Sequence, residues 1–249
     1  MRVVGLVLAA GRSSRMGRPK QLAELDGRPL LEHVLASLEA APVDRVVVAL
    51  GAHAAEITER VDLHGAEPLL VEGFQAGMGH VLARAVAALD DPDAVLVSLG
   101  DQPLVGSEVV AELVAAWRAG AGPVVSAAYD GRHGNPKLFD RGVLAELRGL
   151  DGDAGARDLL AAHPEWVMAV EVGTLGSDAD VDDEEGLARV AALHARRRSA
   201  HQVAPHKAQS GTARRAFRPT GPAPGGGQHE DRADGRGRRP PGSSVGAGQ

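Results

Sequence analysis

The chain has 249 residues, a formal net charge of −6, no cysteine and only 2% aromatic residues. Without cysteine there is no disulfide and no thiolate metal site. Few aromatics and a negative balance also argue against the stacking platforms and basic grooves of nucleic-acid-binding proteins.

The averages hide a division. Residues 199–249 contain 10 Gly, 6 Pro, 8 Lys or Arg, 3 Asp or Glu, and no Leu, Ile or Met. Residues 1–198 carry 19 basic and 30 acidic groups, a net charge of −11 against +5 for the remainder. A segment with so little apolar surface cannot offset its ordering entropy. The sequence therefore predicts one globular domain over 1–198 and a disordered Gly/Pro/Arg-rich tail over 199–249. The longest apolar runs, such as Val3–Ala10, fall far short of the ~20 residues a membrane-spanning helix needs. The N-terminus carries one Arg and then a strand-like run, a poor secretory signal. A cytoplasmic protein with no membrane or nucleic-acid partner is expected.

Along the first 198 residues, short apolar runs alternate with amphipathic segments. Val3–Ala9, Arg45–Leu50, Ala94–Leu99, Pro123–Ala128 and Trp166–Val172 read as strands, several apolar on both faces as in a buried parallel sheet. Pro29 suits a first helical position, followed by a stripe of Leu30, Leu31, Val34, Leu35 and Leu38. Met78, Val81, Leu82, Ala85, Val86 and Leu89 make a second helical face. Val109, Val110, Leu113, Val114 and Trp117 make a third. Such alternation implies βαβ units and a sheet covered on both sides. Ligands in these sheets sit beyond the carboxyl ends of the strands.

Two loops occupy such positions. The first strand runs into Leu8-Ala9-Ala10-Gly11-Arg12-Ser13-Ser14-Arg15-Met16-Gly17-Arg18-Pro19-Lys20. Glycines let backbone N–H groups approach phosphates, and Arg15 and Lys20 add mobile positive charge. The spacing fits neither a Walker loop nor a GxGxxG dinucleotide turn. On composition, phosphate binding and an ordinary basic loop are equally open. The strand Ala94–Leu99 ends in Gly100-Asp101-Gln102-Pro103. Its aspartate is placed to hold Mg²⁺ against phosphate oxygens, or simply to form a turn.

The first loop, with its Leu-Ala-Ala-Gly-x-Ser-x-Arg-Met-Gly-x-x-Lys pattern, resembles the signature loop of nucleotidyltransferases with a MobA-like fold. In particular it is similar to that of the molybdenum cofactor cytidylyltransferases. The resemblance implies a three-layer α/β/α fold with a mostly parallel, Rossmann-like sheet of the nucleotidyltransferase type. It implies that Leu8, Ala9, Ala10, Gly11, Ser13, Gly17 and Lys20 surround an NTP, together with Gly77 and Gly100. Arg15, Lys20 and Asp101 become the catalytic residues. Gly100-Asp101-Gln102-Pro103 resembles the family motif whose aspartate binds the metal. Asp180-Val181-Asp182 resembles an Asp-Ile-Asp segment supplying a second one, so Asp101 and Asp182 are the implied Mg²⁺ ligands. On the residues alone, the acidic run from Asp178 to Glu185 reads strongly as a helix N-terminus, with N-cap and dipole partners.

Two further stretches resemble segments near the acceptor pocket. Gly131-Arg132-His133-Gly134-Asn135-Pro136-Lys137-Leu138-Phe139 reads as a turn and a short apolar segment, with His133 a surface turn residue. Gly152-Asp153-Ala154-Gly155-Ala156-Arg157 also reads as a helix entry capped by Asp153. The family's Gly-Met step is retained at Gly77-Met78, but Val81 stands where a serine is usual and no asparagine precedes it.

The resemblance implies transfer of a nucleoside monophosphate, CMP from CTP, to the phosphate of molybdopterin, with release of pyrophosphate. A xanthine dehydrogenase-type molybdoenzyme would receive the product. Transfer to another phosphorylated acceptor, and non-catalytic binding of nucleotide or molybdopterin by a chaperone, remain open. An oxidoreductase is disfavoured, because neither a dinucleotide fingerprint nor a redox residue is visible.

Overall fold

The structure is a computed structural model that describes residues 1–13 and 16–203, with side chains through Ser199. Nine strands form, in chain order β1 (Val3–Ala9), β2 (Glu24–Leu25), β3 (Arg28–Pro29), β4 (Arg45–Leu50), β5 (Glu67–Leu70), β6 (Ala94–Leu99), β7 (Val124–Tyr129), β8 (Arg132–Asp140) and β9 (Val167–Glu171). The α-helices are α1 (Leu30–Glu39), α2 (Ala54–Arg60), α3 (Met78–Ala87), α4 (Ser107–Arg118), α5 (Leu144–Arg148), α6 (Arg157–Ala162) and α7 (Glu184–Val203).

Seven strands make one sheet in the order β5-β4-β1-β6-β8-β7-β9, and β2 pairs with β3 in a separate hairpin. Every neighbour in the large sheet is parallel except β8, which runs antiparallel to both β6 and β7. Residues alternate faces along each strand. Val3, Val7 and Ala9 of β1 join a core with Leu31, Leu35 and Leu38 of α1 and Val109, Val110 and Leu113 of α4. Val4 and Leu6 point the other way, onto Leu82, Ala85 and Val86 of α3 and Leu144 and Leu147 of α5. The mostly parallel, helix-covered sheet expected from the alternation is thus present.

From β1 the chain moves outward to β4 and β5, then returns to β6 on the other side of β1. The switch point lies between β1 and β6, where open α/β sheets leave a crevice. Gly100 follows β6 there with little room to spare. A Cβ on it would lie 3.0 Å from Ala9 Cβ and 3.2 Å from Leu31 Cδ1.

Four local expectations change. Pro29 pairs with Glu24 in the β2–β3 hairpin and precedes α1 in an extended conformation, so the helix begins at Leu30. The predicted turn after Gly131 is a nine-residue strand, β8, with His133 opposite Ala128. Its Asn135–Pro136 peptide is cis. Met78 begins α3 but is 48% exposed rather than buried with its stripe. Asp153 caps nothing: α6 starts after Ala156 without a side-chain cap.

α7 continues through Ser199 to Val203; residues 204–249 lie outside the described residues. Among the described residues no helix is long and apolar enough to cross a membrane.

Candidate active site

A third, smaller core sits beside the switch point. It joins Ala23, Leu25 and Leu30 from the first loop and hairpin, Leu104 from the loop after β6, and Val181 and Val190 at the start of α7. Each of these three segments carries one predicted site residue: Lys20, Asp101 and Asp182. Val181 is fully buried, and its N–H donates to the Asp101 carbonyl at 3.1 Å. The Ser177 N–H donates to the Leu104 carbonyl at 3.2 Å. Apolar burial and two backbone bonds therefore hold the acidic segment along the loop that follows β6.

The result is a convergence of three distant residues. Lys20 Nζ donates to Asp101 Oδ2 at 2.5 Å and to Asp182 Oδ1 at 2.9 Å. The Lys20 and Asp101 side chains are each 16% exposed, and Asp182 is 42% exposed. Burial works against the Lys20 ammonium, but the charges and hydrogen bonds of the two aspartates outweigh it and raise its pKa above the ordinary lysine value. Burial pushes the Asp101 carboxyl up, and the Lys20 charge opposes that shift. Asp101 Oδ1 and Gln102 Oε1 are buried without a hydrogen-bond partner. An unsatisfied buried acceptor costs about 1–3 kcal/mol. A cation at this place would relieve that cost at Asp101.

The acidic run divides its labour. Asp183 Oδ1 accepts the Gly186 N–H at 2.7 Å and caps α7, while the preceding Asp182 turns to Lys20. Adjacent residues thus cap the helix and join the Lys20 cluster.

Lys20 is fixed by a residue that sequence reasoning missed. Gln21 is 2% exposed, and its Nε2 donates to the Ala9 carbonyl at 2.9 Å, tying the far end of the loop to the end of β1. The Ser13 hydroxyl donates to Gln21 Oε1 at 3.3 Å and accepts the Lys20 N–H at 2.9 Å. Ser13 thus closes the loop on itself. The signal was a neutral polar residue directly before the Leu22–Ala23 apolar step. Ala9 and Ala10 bury their side chains. Gly17 has φ 64°, a left-handed conformation that favours glycine. A Cβ on Gly11 would meet nothing within 4 Å, so no packing constraint demands glycine there. Arg15 lies outside the described residues.

Gly77 makes a close backbone contact. It has φ 119°, and a Cβ on it would come within 2.4 Å of Asp153 Oδ1 and 2.5 Å of the Gly152 carbonyl oxygen. The Gly79 N–H donates to that same carbonyl at 2.7 Å. The Gly77-Met78-Gly79 step is therefore a seat for the 151–153 loop. Val81 is buried in the second core, among Leu82, Ala85 and Val86 of α3.

Met78 of that step borders a cavity of about 570 Å³. Leu8 and Leu99, at the ends of β1 and β6, line it beside Met78 of α3, Lys137 of β8 and Arg157 of α6. The two stretches associated with an acceptor pocket, 131–139 and 152–157, thus meet in one cavity next to the strand ends that lead to Asp101.

The model of the MobA-like NTP transferase domain matches residues 5–166. Nicotine blue oxidoreductase of Paenarthrobacter nicotinovorans is 32% identical over 197 residues, covering 76% of this chain and 96% of that protein. Among solved structures, the Mycobacterium sp. strain JC1 homologue of Mycobacterium tuberculosis Rv0371c superposes with a TM-score of 0.70 at 33% identity, covering 79% of this chain and 99% of that one. Rv0371c of Mycobacterium tuberculosis H37Rv, in complex with manganese, superposes with a TM-score of 0.65 at 28% identity, covering 77% and 99%. With this match, and with the sheet order and strand-end site described above, the chain belongs to the MobA-like NTP transferase family and is a nucleotidyltransferase by fold.

Proposed function

We propose that the protein transfers CMP from CTP to the phosphate of molybdopterin, releasing pyrophosphate. An anionic oxygen of the acceptor phosphate attacks the α-phosphorus of CTP. The bond from that phosphorus to the bridging oxygen breaks, and pyrophosphate leaves with the electron pair. Negative charge accumulates on the phosphoryl oxygens, so positioning and charge compensation carry most of the catalysis. No protein nucleophile is needed.

The observation that carries this reading is the meeting of Lys20, Asp101 and Asp182 at the switch point, with Asp101 Oδ1 buried and unpartnered. Asp101 and Asp182 would hold Mg²⁺, which retains several waters and so needs only one or two protein carboxylates beside the phosphates. When bound, the metal supplies positive charge to the phosphate oxygens. Lys20 then has the phosphates as partners, and Arg15 is assigned the same role. The backbone around Gly11 and Gly17 lines the triphosphate, and Gln21 keeps that loop closed behind it. The product, a dinucleotide form of the cofactor, would pass to a xanthine dehydrogenase-type molybdoenzyme in the cytoplasm.

A panel of the four NTPs with the full-length protein, Mg²⁺ and molybdopterin tests the proposal. Pyrophosphate release with CTP, dependent on acceptor and metal, supports it. Binding of nucleotide without turnover would favour a chaperone, and turnover only with a different acceptor would move the assignment within nucleotidyl transfer. Residues 204–249 take no part in this scheme, so truncation after Val203 is expected to leave turnover unchanged.

A further inference from the structure

Lys137 stands at a position that the sheet pattern reserves for an apolar side chain. β8 is an interior strand with helices on both sides. Its Leu138 is buried in one core and Phe139 in the other. Lys137 lies opposite Val97 of β6 and Ser126 of β7, on the face that carries Val97. Its Nζ donates to the Gly134 carbonyl at 2.6 Å and to Asn135 Oδ1 at 3.1 Å, both neutral acceptors. Among the described residues no carboxylate comes within ion-pair distance of it. Asp178 acts on it through space and Arg157 opposes, but burial dominates and brings its pKa down to about 8. The ammonium is still charged at neutral pH, where a largely buried, unpaired charge is costly.

The side chain lines the 570 Å³ cavity, and the other charged lining residue is Arg157, again without an ion pair among the described residues. No carboxylate lines this space. Its walls are otherwise mostly apolar, with Leu8, Leu82, Val97 and Phe139 among them. The volume lies within the ~300–1,000 Å³ usual for small-molecule sites. Met78, 48% exposed, borders it too.

We infer that this cavity takes a molecule with an apolar, ring-sized body and an anionic group, and that Lys137 and Arg157 hold the anionic group. The inference rests on reading the cavity as the acceptor side of the transferase. It makes Lys137 a specificity-determining residue: an acceptor without negative charge leaves two cations unmatched, and one without an apolar body leaves the walls wet. An anion between the two side chains forms charge-assisted hydrogen bonds and restores neutrality.

Equilibrium titration of the full-length protein with 1-naphthyl phosphate, in chelator and without nucleotide, tests this independently of turnover. Parent protein is expected to bind it, to bind 1-naphthol at least about tenfold more weakly, and to keep the phosphate when CTP is added. Lys137→Met is expected to lose about tenfold or more in affinity for the phosphate with no change for 1-naphthol. Arg157→Gln, on the exposed rim, is expected to weaken the phosphate in the same sense and guards against misfolding at Lys137. Equal affinity for the two probes, parent-like binding by both variants, or displacement by CTP would overturn the inference. A silent NTP panel with intact probe binding would instead overturn only the transfer reaction.

Discussion

Lys20→Met removes the one ammonium that joins Asp101 and Asp182 while keeping most of the side-chain volume. The lost contacts are 2.5 Å and 2.9 Å long. Removing one partner of a buried pair costs about 3–5 kcal/mol. The Asp101 contact falls in that class, with both side chains 16% exposed, whereas Asp182 at 42% adds little. A loss near ~3 kcal/mol is therefore expected in chelator at neutral pH. Mg²⁺ then meets Asp101 and Asp182 without the Lys20 ammonium between them. Binding at a hundredfold excess over Kd returns about 2.7 kcal/mol. The assay is urea denaturation followed by tryptophan fluorescence, on parent and variant, with chelator and with saturating Mg²⁺. The metal increment should be larger in the variant, even though its nucleotidyl transfer falls by about 10²–10³. Stability within ~0.5 kcal/mol of the parent, or an equal metal increment in both proteins, would refute the reasoning.

Val181→Ala removes two methyl groups from a fully buried side chain; at roughly 0.8 kcal/mol each plus a cavity term, the expected loss is about 1.5–2.5 kcal/mol by urea denaturation, with a raised KM for the metal–nucleotide complex. Gly11→Ala meets nothing within 4 Å, so stability should hold within ~0.5 kcal/mol while calorimetric titration shows weaker NTP binding; unchanged affinity would remove Gly11 from the phosphate site. Because burial brings Lys137 to about 8, its ammonium is lost as pH rises through that value, so anion binding at the cavity should fall there. Lys137→Arg keeps its charge to much higher pH and should abolish that fall; an identical profile in both proteins would assign it elsewhere.

Strands β1, β4 and β6 were legible because each is a mostly apolar run, largely buried, with only Arg45 and Ser98 interrupting the pattern in β4 and β6. β8 was not, because Gly134, Asn135 and Pro136 are turn-forming residues. Gly134 is held there by close packing: a Cβ on it would lie 2.6 Å from Asp178 Oδ2 and 2.8 Å from Tyr129 Cδ2. β5 is an edge strand over Glu67–Leu70 with no buried residue, so it carries no hydrophobic pattern. Of the site, Lys20, Asp101 and Asp182 could be named from motif resemblance, since charge chemistry restricts residue type. What brings them together could not. Leu104 and Val181 look like ordinary apolar residues until the chain has folded, and Gln21 makes its contacts only across the closed loop.

The most direct measurement of the central claim is pyrophosphate release from CTP in Mg²⁺ with molybdopterin, comparing parent with Asp101→Ala and Asp182→Ala. Metal-dependent release by the parent, and loss by about 10² or more in each variant, is the predicted result. Release that persists in both aspartate variants would contradict the assignment of the Lys20–Asp101–Asp182 cluster as the catalytic centre.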